Sequence, residues 1–280
     1  MPARLHHERI ARSDTAPVQW LAMTHGIYGA GSNWRSIARK LNERRPDWGV
    51  VLVDLRQHGR SEPGEPPHTL AACAEDLRAL FAELGDVAAV AGHSFGGKVA
   101  LSTRRILDLR QTWVLDASPS ARRGAPGTPT APPTGGTVLR VLDFMERAPR
   151  HWATREGFVA AVVGEGHDVG LARWLAMSLV PDPGGDPGGP GGGLVLRFDL
   201  AALRAMLADY FATDLWDVLE APGGDVEVVV AERSATVSAA DRGRLAAAPP
   251  HVHVHYVAAD HWLHIDAPDA VVELFVARLP

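Results

Sequence analysis

The sequence predicts an α/β protein: a mostly parallel central sheet with helices on both faces, interrupted by an inserted helical cap. Three observations carry that expectation. Short runs that are apolar throughout alternate with amphipathic stretches, the pattern of buried parallel strands joined by crossover helices. The alternation breaks at "PSARRGAPGTPTAPPTGG", residues 119–136, where Pro, Gly and Ala replace any periodicity. The strand rhythm then resumes late in the chain at "DVEVVVAE", residues 225–232.

Taken in order, "VQWLAMTHG" (18–26) reads as a strand entering a Gly-bearing loop, "SNWRSIARKLNERR" (32–45) as a helix, and "WGVVLVDLRQHGRS" (48–61) as a buried strand and loop. The helix "TLAACAEDLRALFAELG" (69–85), the strand "DVAAVAGHS" (86–94), the helix "FGGKVALSTRRILD" (95–108) and the strand "TWVLDAS" (112–118) follow. Four helical patterns come next: "VLRVLDFMERA", "REGFVAAVVGE", "VGLARWLAMSLV" and "DLAALRAMLADYF". No strand rhythm extends the sheet there, so residues 118–222 are expected to form the cap and residues 1–117 with 223–280 the core. Within the cap, "PDPGGDPGGPGGG" (181–193) contains only Pro, Gly and Asp and is expected to be a flexible surface loop. "HVHVHYVAA" (251–259) reads as the last strand, and "APDAVVELFVARL" (267–279) as a closing helix with Pro268 in its first turn.

The chain has 280 residues, 46% of them hydrophobic, enough for a substantial core. A net charge of −5 offers no general attraction for nucleic acid or acidic lipid headgroups, so neither nucleic acid nor membrane is expected as a partner. Cys73 is the only cysteine, which excludes an intrachain disulfide and favours a cytoplasmic setting. "MPARLHHERIARSD" lacks the apolar core of a secretory signal, and no apolar run reaches transmembrane length.

"GHSFGG", Gly92 to Gly97, matches G-x-S-x-G between an apolar strand and a helix. In that context the serine sits on a sharp turn that projects its hydroxyl, so Ser94 is the candidate nucleophile. A serine hydroxyl needs an imidazole to accept its proton. "AADHWLHIDAP" offers His261 and His264 between the last strand and the closing helix; His261 comes first after the strand and is preferred, with His264 left to pack or support the loop.

These pieces resemble the α/β-hydrolase family over nearly the whole chain. "THGIYGAGSNW" looks like its H-G loop, "VDLRQHGRS" like its D-x-R-G-H-G-x-S segment, "GHSFGG" like its nucleophile elbow and "DHWLHIDAPDAV" like its G-H-x-x-H-x-E-x-P histidine loop. Gln57 and Asp260 stand where the family has glycines. The resemblance implies the α/β-hydrolase fold and an oxyanion hole made by the backbone N–H groups of Ile27 and Phe95. It implies no metal or organic cofactor.

The usual acid of the family follows the strand after the cap in a G-x-x-D pattern, but here that slot holds Ser234. Glu232, Asp225 and Asp241 are near, and none fits well. Asp116 ends the strand after the nucleophile's helix, so a parallel sheet brings it out at the same carboxyl edge as Ser94. A small-esterase branch of the family is similar in having D-x-S/A-P at this point, a serine in the later slot, and its acid after the sixth strand. Asp116 is therefore assigned as the acid, with Glu232 and Asp241 in reserve.

Other features read as structural. His251, His253 and His255 point to one side of a strand, and alternate strand histidines rarely complete a zinc site alone. Asp54 and His58 look like loop-shaping residues of the family, and Lys98 reads as a solvent-facing helix residue. Trp34, Trp152, Trp174 and Trp262 fall in segments that border the cleft of this fold and are expected to wall a substrate pocket. Function is then expected to be cleavage of a small carboxylic ester by Ser94, His261 and Asp116. A thioester, a lactone or a C–C bond would suit the same triad, and a non-catalytic ligand-binding module is the rival from another class.

Overall fold

The computed structural model describes residues 1–12, 16–122, 136–182 and 193–280. Most of the 119–136 and 181–193 loops falls outside these residues. The elements run in the order β1 (His7–Ile10), β2 (Gln19–Thr24), a 3-10 turn (Gly31–Trp34), α1 (Arg35–Arg44), β3 (Trp48–Val53), α2 (Leu70–Leu84), β4 (Val87–His93), α3 (Phe95–Arg104) and β5 (Gln111–Leu115). Then come α4 (Gly136–Arg147), β6 (His151–Trp152), α5 (Arg155–Gly164), α6 (Val169–Ala176), β7 (Leu179–Pro181), β8 (Leu194–Leu196) and α7 (Leu200–Ala212). The chain closes with α8 (Trp216–Glu220), β9 (Asp225–Ala231), α9 (Ala239–Leu245), β10 (Val252–Val257), α10 (Leu263–Asp266) and α11 (Pro268–Arg278).

Two compact units result, one of residues 1–121 with 212–280 and one of residues 122–211. The second is narrower than the 118–222 segment expected from composition, because the short helix α8 belongs to the first unit. In the first unit, seven strands pair in the order β1-β3-β2-β4-β5-β9-β10. All the pairings are parallel except that of the edge strand β1 with β3. That edge strand, "HERI", carries three polar residues in four and has no apolar alternation to announce it.

The central strands are apolar on both faces because both are covered: every residue of β3 and β5 is buried, and so is β9 after its first residue. Helix α1 packs with α11, while α2 packs with α3. Leu21, Met23, Trp48, Leu52, Trp113 and Phe275 are 2% exposed or less in one continuous cluster. Each such side chain stabilises the fold by roughly 1.5–3 kcal/mol relative to exposure. Local signals set the helix ends: the Thr69 hydroxyl accepts from Ala72 N–H at the start of α2, Gly85 at φ 84° ends it, and Pro268 opens α11.

The second unit carries helices α4 to α7 and also holds a three-stranded antiparallel sheet, β6-β8-β7. Its strands have two or three residues each, too few to show a period-2 pattern. Trp152 packs edge-on against Phe158 with ring centroids 5.2 Å apart. Arg204 joins α7 to α4 through Glu146 and Asp143 at 2.6 and 2.7 Å. No helix among the described residues is long and apolar enough to cross a membrane.

Candidate active site

Strand β4 ends at His93, and the chain turns so sharply that Ser94 takes φ 54° and ψ −115° before α3 starts at Phe95. A non-glycine residue there is strained by about 1–3 kcal/mol and persists only where its surroundings impose it. Here they do: Ser94 N–H donates to the Leu115 carbonyl of β5 at 2.9 Å, and Gly97 N–H donates to the Ser94 carbonyl at 2.9 Å. The flanking glycines are required by close approach. A Cβ on Gly92 would overlap the Gly96 carbonyl, and one on Gly96 would lie 2.7 Å from the His25 carbonyl oxygen.

Ser94, His261 and Asp116 come together in the first unit. His261 Nε2 lies 3.0 Å from Ser94 Oγ, and its Nδ1 lies 2.7 Å from Asp116 Oδ2. A carboxylate only accepts, so Nδ1 carries the proton and Nε2 is left as the acceptor for the serine hydroxyl. Asp116 is fully buried and is itself held at φ 44°. Its N–H donates to the Val229 carbonyl at 2.7 Å, and its Oδ1 accepts from Ala231 N–H at 3.2 Å.

The reserve acids stand elsewhere. Glu232 is exposed on the surface. Asp241 accepts from the hydroxyls of Ser118 at 2.8 Å and Ser120 at 2.5 Å and from Ser238 N–H at 3.1 Å, capping α9. Burial alone would raise its carboxyl pKa, but the bonds from Ser120, Ser118 and Ser238 outweigh it and hold the pKa below the ordinary value.

Sequence reasoning missed Thr236, whose Oγ1 lies 3.0 Å from His261 Nδ1. It belongs to the loop in which the acid was first sought. Ser234, in the acid slot, turns its hydroxyl back to accept from Thr236 N–H at 3.1 Å. Arg242 laces this loop through the carbonyls of Ala231, Ser234 and Val237 at 3.0 to 3.1 Å. Only the register of the loop identifies Thr236; no motif does. Asp260, a departure from the histidine-loop pattern, directs its carboxylate to Arg233 at 3.3 Å.

Ile27 lies in a turn closed by Gly29 N–H donating to the Gly26 carbonyl at 3.0 Å, with Tyr28 at φ 67° as in a type II turn. Two histidines fix this turn. His25 accepts from Leu55 N–H at Nε2 (3.0 Å) and donates from Nδ1 to the Gly26 carbonyl (2.8 Å). His58 accepts from Tyr28 N–H at Nε2 (3.3 Å) and donates from Nδ1 to the Arg56 carbonyl (2.7 Å). Asp54 accepts from Gly31 and Arg60 N–H at 2.7 and 2.9 Å, so Asp54 and His58 are both loop-shaping. Phe95 is the first residue of α3.

Four histidines around these loops are held neutral by burial. It pushes His25 down and, with His25 beside it, takes His58 to about 3. Burial and the neighbouring His261 take His264 to about 4, and burial with His261 and His264 takes His93 well below the ordinary value. In the unfolded chain each would titrate near 6.5. The unfolded state therefore takes up the additional protons as pH falls below about 6.5, and stability rises with pH across that window and is lost on acidification. The slope is about 1.4 kcal/mol per pH unit for each proton. Urea unfolding at pH 7 and pH 5 is expected to differ by several kcal/mol; equal stabilities would contradict it.

Two expectations need correction. Lys98 is not solvent-facing: it is 1% exposed, and its ammonium donates to the carbonyls of Ser120 at 2.9 Å and Thr213 at 2.6 Å. An apolar helix face and two inward-turned carbonyls accept a lysine that helical periodicity alone would place outside. Trp34 is not a pocket wall but a core residue, 1% exposed, with its indole N–H on the Thr24 carbonyl at 3.0 Å and its ring against His264. Trp262 is half-buried beside His261 in the same unit, while Trp152 and Trp174 are half-buried in the second unit.

Asp225, Glu227 and His253 bring donor atoms within 4.8 Å of one another and could in geometry hold a cation. Glu227 already accepts from Arg278 at 2.8 Å, His255 at 2.6 Å and Gln111 at 3.1 Å. The Arg278 guanidinium already neutralises the buried Glu227 and would repel a cation there, so the cluster reads as an ion-pair network centred on Glu227. Burial would raise the Glu227 pKa, but His255 and Arg278 hold it low.

A serine on a strained strand-to-helix turn, a histidine after the last strand and a carboxylate at the same sheet edge define a hydrolase-type site on a doubly covered sheet. The chain belongs to the alpha/beta hydrolase family, whose profile matches residues 21–274. It is 26% identical over 286 residues to the mouse (Mus musculus) sn-1-specific diacylglycerol lipase ABHD11, covering 99% of this chain and 86% of that one. It is also 26% identical over 264 residues to Esterase YbfF of Escherichia coli strain K12, covering 90% and 89%. A solved marine microorganism esterase shares the fold with TM-score 0.79 at 21% identity, covering 98% of this chain and 99% of that one.

Proposed function

We propose that the chain is a serine hydrolase that cleaves a small carboxylic ester through an acyl-enzyme. The observation that carries this reading is the continuous line from Ser94 Oγ through His261 to Asp116, at 3.0 and 2.7 Å. Ser94 Oγ attacks the ester carbonyl carbon while His261 Nε2 takes the hydroxyl proton. Asp116 keeps the imidazole in the required tautomer and stabilises the cation that forms. The N–H groups of Ile27 and Phe95 receive the oxyanion, a contribution worth about a hundredfold or more for each donor. His261 returns the proton to the departing alkoxide. Water, deprotonated by the same nitrogen, then releases the acid and restores Ser94. Relatives named as a lipase and an esterase support an ester as the substrate. The single cysteine supports a reducing, cytoplasmic setting.

A fluorophosphonate probe is expected to label the folded protein on the peptide containing Ser94 and to leave Ser94→Ala unlabelled. Acyl p-nitrophenyl esters of increasing length, run beside the matching thioesters, are expected to turn over faster as the oxygen esters. Absence of labelling in folded protein would favour the non-catalytic module, and faster turnover of thioesters would move the substrate class.

A further inference from the structure

We propose that His93, the residue before the nucleophile, is a positioning residue that holds the histidine loop against the elbow. The inference rests on the reading of His261 as the general base. His261 lies between β10 and α10, outside any regular element. Its backbone carbonyl accepts from the ring of His93, whose Nε2 is 2.8 Å away. A carbonyl can only accept, so the proton of His93 sits on Nε2 and Nδ1 is bare.

His93 is suited to this task because it is the last residue of β4, paired with Leu115 of β5, and adjoins Ser94 in the chain. Its ring is packed on several sides: 4.7 Å from the ring of His261, 4.8 Å from His264 and 6.5 Å, edge-on, from Trp34. Its bare Nδ1 faces Gly26 of the oxyanion turn, where an added Cβ would lie 3.3 Å away. One side chain therefore bonds the loop that carries His261 and faces Gly26 of the turn that carries Ile27, while its own backbone leads into Ser94. Burial and the neighbouring imidazoles keep it neutral, so the donor on Nε2 and the bare Nδ1 persist across the working pH range.

Losing this bond would free the His261 backbone to drift relative to Ser94 Oγ, and a displacement of about 1 Å in a reacting group can lower the rate about a hundredfold. The substrate's binding contacts would be untouched. His93→Met, which matches the length without a donor, is expected to lower kcat tenfold to a hundredfold with KM within about threefold of the wild type. His93→Gln, whose amide N–H reaches the Nε2 position, is expected to restore most of that loss. His93→Asn keeps the polarity but falls short of the carbonyl and is expected to resemble His93→Met; it also serves if the methionine variant does not fold. A folded Asn or Met variant with wild-type kcat, or a folded Gln variant no better than these, overturns the proposal. Ser94→Ala is run in parallel. If it too retains wild-type turnover, the serine-hydrolase reading itself fails; if it is dead while His93→Met or His93→Asn is fully active, only the role of His93 fails.

Discussion

Asp116→Asn is expected to lower kcat about ten-thousandfold, with little change in fold. The geometry gives the reason. Asp116 Oδ2 accepts from His261 Nδ1 at 2.7 Å, which leaves Nε2 bare toward Ser94. An asparagine can instead present its N–H to Nδ1, which then becomes the acceptor, and the proton moves to Nε2, where it blocks the base. Wrong-tautomer substitutions of this kind lower kcat by about 10⁴. Thr236 Oγ1, 3.0 Å from the same nitrogen, can accept but has no charge to stabilise the imidazolium, so it does not replace the carboxylate. Glu232→Gln is expected to leave kcat within about twofold. Asp241→Asn is expected to act on stability, by about 1–3 kcal/mol for the caps and hydroxyl bonds it loses, and only secondarily on rate. The measurement is kcat on one p-nitrophenyl ester with melting curves alongside; collapse of kcat in the Glu232 variant and retention in Asp116→Asn would reverse the assignment.

Gly92→Ala is expected to abolish the native fold or destabilise it by at least about 3 kcal/mol. The added methyl would overlap the backbone carbonyl of Gly96, in the first turn of α3, and neither backbone can yield. Ser94 holds its positive φ because β4, β5 and the start of α3 are fixed around it, so any shift of Gly92 or Gly96 also releases the elbow. Gly243→Ala gives the contrast. That glycine lies exposed on α9 with nothing within 4 Å of an added Cβ, and its replacement is expected to stabilise by about 0.5–1 kcal/mol through helix propensity alone. Soluble yield and urea unfolding of the two variants, side by side, check the prediction; a Gly92→Ala protein as stable as wild type would mean the elbow is looser than its contacts indicate.

Much of the site is legible in the sequence because its parts are local. "GHSFGG" between an apolar strand and a helix marks the turn at Ser94, since small residues are needed where backbones touch. His261 is legible as the first histidine past the last strand. Asp116 needed one step more, the rule that parallel strands deliver their ends to one sheet edge. Thr236, His93 and Lys98 were not legible in their roles. Each depends on a contact across 22 to 168 residues of chain, and a threonine in a loop, a histidine inside a motif and a lysine on a helix carry no local mark of such a partner. Trp34 was misread for the related reason that a tryptophan near a cleft and one in the core look alike until its exposure is known.

The sequence by itself determined the parallel α/β core and the residues from which a nucleophile, base and acid could be drawn. Apolar runs, helical periodicity and glycine spacing act over a few residues and need no fold to be read. The tertiary structure decided what those residues do to each other. It gave the Asp116 carboxylate to His261 and the Asp241 carboxylate to a helix cap, and it turned Ser234 back on its own loop. It also added the antiparallel edge strand and the small second sheet. Strand pairing and hydrogen bonding join distant segments, and which of two nearby carboxylates reaches an imidazole depends on a few ångströms that only the packed chain sets.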